Sequence, residues 1–304
     1  MSGGAEVEKL YSAIEESARL VGAAFSRDKV WPILNAYGDA LTAGRVVFSA
    51  QIGNKRQAGE LEYTIQVSPG IDPYAQALSS GFVTETDHPV GTLLSDLQAR
   101  VSVDEYFIDC GVVGGFKKVY ALFPHDLQGV SKLADIPSMP PALAENADFF
   151  SRHGLDATAL IGIDYQNKTM NVYFQLPSAG NLDPKTIRSM LSEIGLPEPD
   201  EKMLEFACKS YRVYTTLSWD SSKIQRISLA PPPRRNLDLS ELPAPVEPGI
   251  ERFVKNAPHT YAGERVTVVA AKWTPDGGHL DLGSYYQIPP QHLKDLMAAP
   301  EEKV

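Results

Sequence analysis

The sequence predicts an α+β protein: a ten-stranded antiparallel β-barrel with a polar interior, surrounded by α-helices. Three observations lead there. Paired strand patterns occur five times along the chain, about every 50 residues, with helical stretches beside each pair. Within the strands, apolar and polar residues alternate, so each strand has one greasy face and one polar face. Ten antiparallel strands in an open sheet would leave long edges and a bare face. Closure removes the edges and lets all the helices cover the outside. The chain of 304 residues, 43% of them hydrophobic, is large enough to do this as one domain spanning residues 1–304.

The elements follow in order. Two helices open the chain: "VEKLYSAIEESARLVGAAF", with Leu10, Ile14 and Val21 on one side, and "RDKVWPILNAYGDALTAG", which runs to a glycine. The strands "RVVFSAQ" and "GELEYTIQV" come next, then the short helices "DPYAQALSSG" and "HPVGTLLSDLQARV". The second hairpin is "VDEYFIDCGV" with "GGFKKVYALF". The third round has helices "LQGVSKLA" and "ALAENADFFSRHG", then "TALIGIDY", a "QNK" turn and "TMNVYFQL". The fourth has "DPKTIRSMLSEIG" and "DEKMLEFACK" before "SYRVYTTLSW" and "KIQRISLA". A proline-rich segment, "APPPRRNLDLSELPAPVEPG", reads as an ordered surface connection, with an SH3-type ligand as the other reading of its PPPRR core. The fifth round has the helix "IERFVKN", the strands "ERVTVVAAKWTP" and "HLDLGSYYQI", and a closing helix, "PPQHLKDLMAA".

If helices coat the wall, the apolar strand faces point outward and the polar faces line the lumen. Leu61, Tyr63, Ile65 and Val67 alternate with Glu60, Glu62, Thr64 and Gln66; Met170, Val172 and Phe174 alternate with Thr169, Asn171, Tyr173 and Gln175. In "GGFKKVYALF", strict alternation puts Phe116, Lys118, Tyr120 and Leu122 on one face and Lys117 with Val119 and Ala121 on the other, so one lysine of the pair is expected to point inward. The expected lumen then holds Lys118, Arg212, Arg226 and Lys272 against Glu62 and Asp281, with Tyr120, Tyr173, Tyr214 and Tyr285 among them. Several cations without partners would cost several kcal/mol each, about the scale of a buried ion's desolvation, so a multiply charged anion such as a diphosphate is the ligand this set suits. Tyrosine faces among the cations fit a carbocation or a flat ligand. An internal ion-pair network with Glu62 and Asp281 is the competing reading of the same residues.

Composition excludes several classes. No apolar run reaches the length of a membrane span, and the acids in "MSGGAEVEKLYSAIEESARL" do not suit a signal peptide, so a cytoplasmic location is expected. Cys110 and Cys208 lack metal or redox spacing and read as free thiols. A net charge of −10 argues against nucleic acid and anionic membrane surfaces as partners; small-molecule substrates and a monomeric chain are expected. There is no DDxxD pair to chelate magnesium, and no nucleophile–base pair that would indicate a phosphoesterase.

The stretches "GGFKKVYALFP", "IPSMPPALAENADFF", "GLDATALIGIDYQNKTMNVYF", "VYTTLSWDSSKIQR" and "LGSYYQI" resemble the ABBA-type soluble aromatic prenyltransferases of bacteria, nearest the naphterpin, furaquinocin and phenazine branch. The likeness runs from Glu6 to about Leu296. It implies a PT barrel of αββα repeats that moves an isoprenyl group from an allylic diphosphate to an electron-rich aromatic, in secondary metabolism. By position it implies that Lys118, Asn171, Tyr214 and Arg226 hold the diphosphate, and that Tyr120, Tyr173 and Tyr285 stand beside the prenyl chain and acceptor. Glu62 stands where metal-dependent members carry a magnesium-binding aspartate. Asn167 and Asp281 stand where they carry lysines.

Lys272 and Asp281, on the two strands of the last hairpin, face each other across the ladder, and Lys272 is expected to supply a replacement ammonium. The expected catalytic set is Lys118, Tyr120, Tyr214 and Arg226, with Asn171 and Lys272 completing diphosphate binding. The expected prenyl and acceptor pocket adds Val47, Ser49, Glu62, Thr64, Ala159, Tyr173, Tyr211, Arg212, Gly283, Tyr285 and His292. Arg212 suits an acidic acceptor, a flaviolin-like dihydroxynaphthalene or a phenazine carboxylate. No cofactor is required on this reading. Glu62 could hold Mg2+, but activity is expected to persist in EDTA. A barrel that binds a hydrophobic anion without turning it over is the alternative from another class.

Overall fold

The computed structural model describes residues 3–38, 44–53, 60–177 and 182–297. Ten strands close into an antiparallel barrel: β1 (Val46–Ile52), β2 (Glu62–Gln66), β3 (Glu105–Gly111), β4 (Gly115–Leu122), β5 (Thr158–Asp164), β6 (Thr169–Gln175), β7 (Arg212–Ser218), β8 (Arg226–Ala230), β10 (Val266–Thr274) and β11 (Gly277–Gln287). Neighbours in the chain are neighbours in the wall, and β11 returns to pair with β1, which completes the circle. The two-residue β9 (Arg234–Arg235) pairs with Val266 and Thr267 beyond the point where β8 has left β10. Pro231, Pro232 and Pro233 interrupt that edge because proline has no N–H to give the ladder. The PPPRR core is therefore an interrupted piece of wall, not a surface connection.

The alternation sorts as expected. Phe48, Ile52, Tyr63, Ile65, Met170, Val172, Phe174, Val213 and Leu217 are fully buried against the helical jacket. That jacket comprises α1 (Gly3–Val21), α2 (Arg27–Ala36), α3 (Pro73–Ser79), α4 (Leu93–Gln98), α5 (Val130–Ala134), α6 (Pro141–Glu145), α7 (Ala147–Arg152), α8 (Pro184–Glu193), α9 (Glu201–Ala207), α10 (Pro248–Asn256) and α11 (Pro290–Met297). α1 turns Val7, Leu10, Ile14 and Val21 inward at helical spacing and packs on α2 and α10. Two helix starts are written in the sequence as Asp-Pro: Asp72 accepts from the N–H groups of Tyr74 and Ala75, and Asp183 from that of Lys185, with Pro73 and Pro184 at positions that need no donor.

Two helices differ from expectation. The single helix expected over residues 142–154 is broken at Asn146, whose Nδ2 donates to Ala142 O (2.7 Å) and across to Ser222 O (2.7 Å), dividing it into α6 and α7. The second helix stops at Ala36, and part of its expected continuation to residue 44 lies outside the described residues.

The larger departure is in β4. Asp109 faces Lys118, but Cys110 faces Phe116, which makes Lys117 an extra residue in the strand. Such a bulge flips the alternation. Phe116 goes outward, stacked near Tyr37, while Lys117 and Lys118 both face the lumen. The expectation of one inward lysine with Phe116 beside it is corrected. Strict period-2 counting has no means of registering an inserted residue.

Candidate active site

A cavity of about 320 Å3 occupies the lumen. Strand direction gives it two unlike halves. The half nearer the hairpin turns collects Lys117, Lys118, Asp164, Arg226 and Lys272; the half under α11 collects Tyr211, Arg212 and Tyr285. At the turn end an open groove of about 1640 Å3 shares Asn167 and Arg226 with the lumen, so charged groups there lie close to solvent.

Charge in the turn half is paired. Lys118 Nζ, deeply buried, sits 3.9 Å from Asp109 Oδ2 and 3.7 Å from Asp164 Oδ2. Each carboxylate also has its own donors: Thr64 Oγ1 donates to Asp109 (2.9 Å), and the Asn167 backbone N–H and Nδ2 donate to Asp164 (2.8 and 2.9 Å). Lys117 donates to Glu62, and Lys272 pairs with Asp281. The last pair forms diagonally, since Lys272 directly faces His279 and Asp281 faces Ala270. The surplus of cations expected from sequence is thus reduced by Asp109 and Asp164, because unpaired ammonium groups are costly to keep in a buried interior.

Burial pushes the Asp109 carboxyl up, and Glu62 beside it pushes further, to about 6 against the pull of Lys118 and Lys117. For Glu62 burial also pushes upward, but Lys117 and Lys118 overcome it and hold the carboxyl down at about 2. Burial lowers Lys272 more than Asp281 restores it.

Arg226 differs from the three lysines. It forms no ion pair among the described residues. Its Nε donates to Thr216 Oγ1 (2.6 Å), which donates to Asn171 Oδ1 (2.7 Å), and Asn171 Nδ2 donates to Tyr173 Oη (3.4 Å). This chain of hydrogen bonds links the turn half to an aromatic wall. Tyr173 stacks on Tyr214 with centroids 4.5 Å apart and meets Tyr120 edge-on at 6.1 Å. A Cβ on Gly162 would come within 2.8 Å of the Tyr120 ring, so glycine is required for that ring to lie against β5. Burial raises all three phenols above their ordinary value and keeps them neutral.

Under α11, Arg212 reaches Gln175 Oε1 at 3.4 Å and lies 5.2 Å from the Tyr211 ring, while its Nε is buried without a hydrogen-bond partner. Burial pushes Tyr285 up to about 12. Arg45 clamps the rim, donating to Glu105 and Gln66 and lying 4.6 Å from the Phe107 ring; His292 of α11 sits 3.6 Å from Glu105.

Of the residues singled out from sequence, Lys118, Tyr120, Asn171, Tyr173, Tyr211, Arg212, Tyr214, Arg226, Lys272, Ser49, Glu62, Thr64, Gly283 and Tyr285 line the cavity together. Val47, Ala159 and His292 stand outside its lining. Val47 backs the wall at Gly283, where a Cβ would come within 3.1 Å of it. Ala159 falls where β5 shifts register against β6, and His292 is occupied at the rim. Sequence reasoning missed Lys117, Asp109 and Asp164. The two acids did carry a signal, as charged residues two positions on from Phe107 and Gly162 in otherwise apolar stretches of their strands.

Glu62, the position expected to take Mg2+, is committed to a lysine. Among the described residues no three His, Cys, Asp or Glu side chains are grouped to hold a metal ion.

Known proteins share this sequence or this fold. The chain is 42% identical over 290 residues to 5,10-dihydrophenazine-1-carboxylate 9-dimethylallyltransferase of Streptomyces anulatus, covering 94% of this chain and 95% of that one. It is 43% identical to flaviolin linalyltransferase of Streptomyces virginiae (94% of each chain) and 41% identical to the furaquinocin biosynthesis prenyltransferase of Streptomyces sp. strain KO-3988 (93% and 91%). The barrel is similar in fold to the apo form of the prenyltransferase PriB, with a TM-score of 0.58 at 13% identity over 94% of this chain and 98% of that one. It is also similar to 6-dimethylallyltryptophan synthase from Micromonospora olivasterospora, at 0.56 and 13% over 94% and 99%. Residues 5–294 match the model of the aromatic prenyltransferase Orf2 family, and with relatives above 40% identity along nearly its whole length, the chain belongs to that family.

Proposed function

We propose that this prenyltransferase takes a geranyl or dimethylallyl group from an allylic diphosphate and attaches it to a hydroxylated aromatic of the dihydroxynaphthalene or flaviolin type, in the biosynthesis of a meroterpenoid. The observation that carries the reading is the meeting of a charged half and an aromatic half at Tyr120, Tyr173 and Tyr214. The diphosphate lies toward the turns, against Lys118, Asn171, Tyr214, Arg226 and Lys272. As the C1–O bond breaks, its electron pair leaves with the diphosphate, and the cations take up charge that is greatest in the transition state. Neutral phenol faces shield the allylic cation, and the jacketed wall keeps water from it. A ring carbon of the acceptor donates its π electrons to C1, and transfer of the ring proton to the released diphosphate restores aromaticity.

Arg212 sets the acceptor class. Its buried, unpartnered Nε calls for an anionic oxygen, which an ionised hydroxynaphthoquinone supplies. The same observation supports a second reading, a phenazine carboxylate, since a carboxylate would take two N–H groups at once. Catalysis is proposed to need no divalent cation, as lysine and arginine side chains carry the charge that a metal would neutralise.

Incubation with geranyl or dimethylallyl diphosphate and each acceptor, with diphosphate release and product NMR as readouts, tests the reading. Coupled release and prenylation at full rate in EDTA are expected. Tight binding of both ligands without product would leave the noncatalytic barrel standing instead.

A further inference from the structure

We propose that Lys117 is a second diphosphate-binding ammonium, turned into the lumen by the extra residue in β4 and steadied at rest by Glu62. The inference rests on the reading of the lumen as an allylic diphosphate site.

Three observations carry it. The register shift opposite Asp109 and Cys110 leaves Lys117 with no facing residue in β3, and it joins Lys118, Arg226 and Lys272 around one cavity. Next, the carboxylates of this half are not equally served. Asp109 and Asp164 hold neutral donors of their own, whereas the hydrogen bond to Glu62 comes from Lys117. An ammonium has three N–H donors, so with one on Glu62 two are left for ligand oxygens. Last, the Lys117 and Glu62 side chains keep 17% and 28% of their exposure, against 9% for Lys118, so this ammonium meets an incoming anion at little further desolvation. A diphosphate carries more charge than one carboxylate, and the flexible lysine stem can follow it while Glu62 limits where the ammonium rests.

A merely structural lysine would serve only to neutralise Glu62, and a double variant separates the two roles. Inorganic diphosphate and geranyl S-thiolodiphosphate, which resists ionisation, are titrated calorimetrically into wild type, K117M, E62Q and E62Q/K117M at fixed ionic strength, with thermal melts of each. Loss of one charge-assisted contact is expected to weaken binding about ten- to a hundredfold in K117M, and E62Q/K117M should remain weaker than E62Q by a similar factor. Unchanged affinity in K117M, or affinity in the double variant equal to that of E62Q, overturns the proposal. If K117M does not fold, the double variant, which buries no unpaired carboxylate, carries the comparison against E62Q. Failure of wild type to bind either ligand would instead overturn the diphosphate reading, and this inference with it.

Discussion

The two halves of the lumen solve opposite problems on the same strands. Toward the turns, charge is abundant and mostly paired at rest: Lys117 with Glu62, Lys118 between Asp109 and Asp164, Lys272 with Asp281. Under α11 charge is sparse, and Arg212 keeps a buried N–H with no partner. The pairing keeps the turn half foldable without ligand, since each ammonium has a carboxylate to meet. On the proposed reading, the unpaired Arg212 selects the acceptor, because one without an anionic oxygen would leave that desolvation cost unrecovered. Arg226 belongs to the first half by position and to the second by behaviour, as it too lacks an ion pair among the described residues.

The contrast breaks most visibly at Lys118. Removing it in K118M leaves Asp109 and Asp164, on the strands either side, without the ammonium they share. Stability is expected to fall by about 3–5 kcal/mol, read by chemical denaturation, along with loss of activity. Arg226→Met should separate the two properties, since no carboxylate depends on it: kcat/KM drops about 10²–10³-fold with the melting temperature nearly unchanged. A melting temperature that falls as far as in K118M would show that the two cations are not different in kind.

A third test uses pH. Facing Asp109 are Glu62 and Thr64 from β2 and Lys117 and Lys118 from β4. Its carboxyl is raised from 3.8 to about 6 in the folded chain, so the folded state holds this proton more tightly than the unfolded one. That contribution is fully present below pH 3.8 and is lost as pH rises through about 6, a change of about 3 kcal/mol at most. Asp109→Asn should remove this loss, measured as the difference in unfolding free energy between pH 4 and 6.5. Glu62 acts in the other direction: held down at about 2, it stabilises above pH 4.5, and the contribution is lost as pH falls toward 2.

The smallest effect is expected in the acceptor half. Arg212→Met should raise the acceptor KM about tenfold and leave the affinity for inorganic diphosphate as it is. If diphosphate binding weakens equally, the division of the lumen into two halves is wrong.

Much of this was already present in the order of the residues. Alternation in "EYTIQV", "TMNVYFQ" and "RVYTTLS" assigned inner and outer faces correctly because those strands keep an unbroken period of two. It failed in "GGFKKVYALF", where an inserted residue turned Lys117 inward and Phe116 outward, and no local pattern announces a bulge set by the pairing of β3 with β4. Ala159 stands outside the cavity lining beside another register shift.

The sequence by itself determined the jacketed barrel and its polar lumen, because side-chain period, helix caps and turn spacing are local properties that each segment carries with it. Only the tertiary structure decided how the interior charges are matched. Asp109, Asp164 and Lys117 come from different strands, and whether they meet depends on wall register and closure, which are fixed by long-range pairing after the local elements exist.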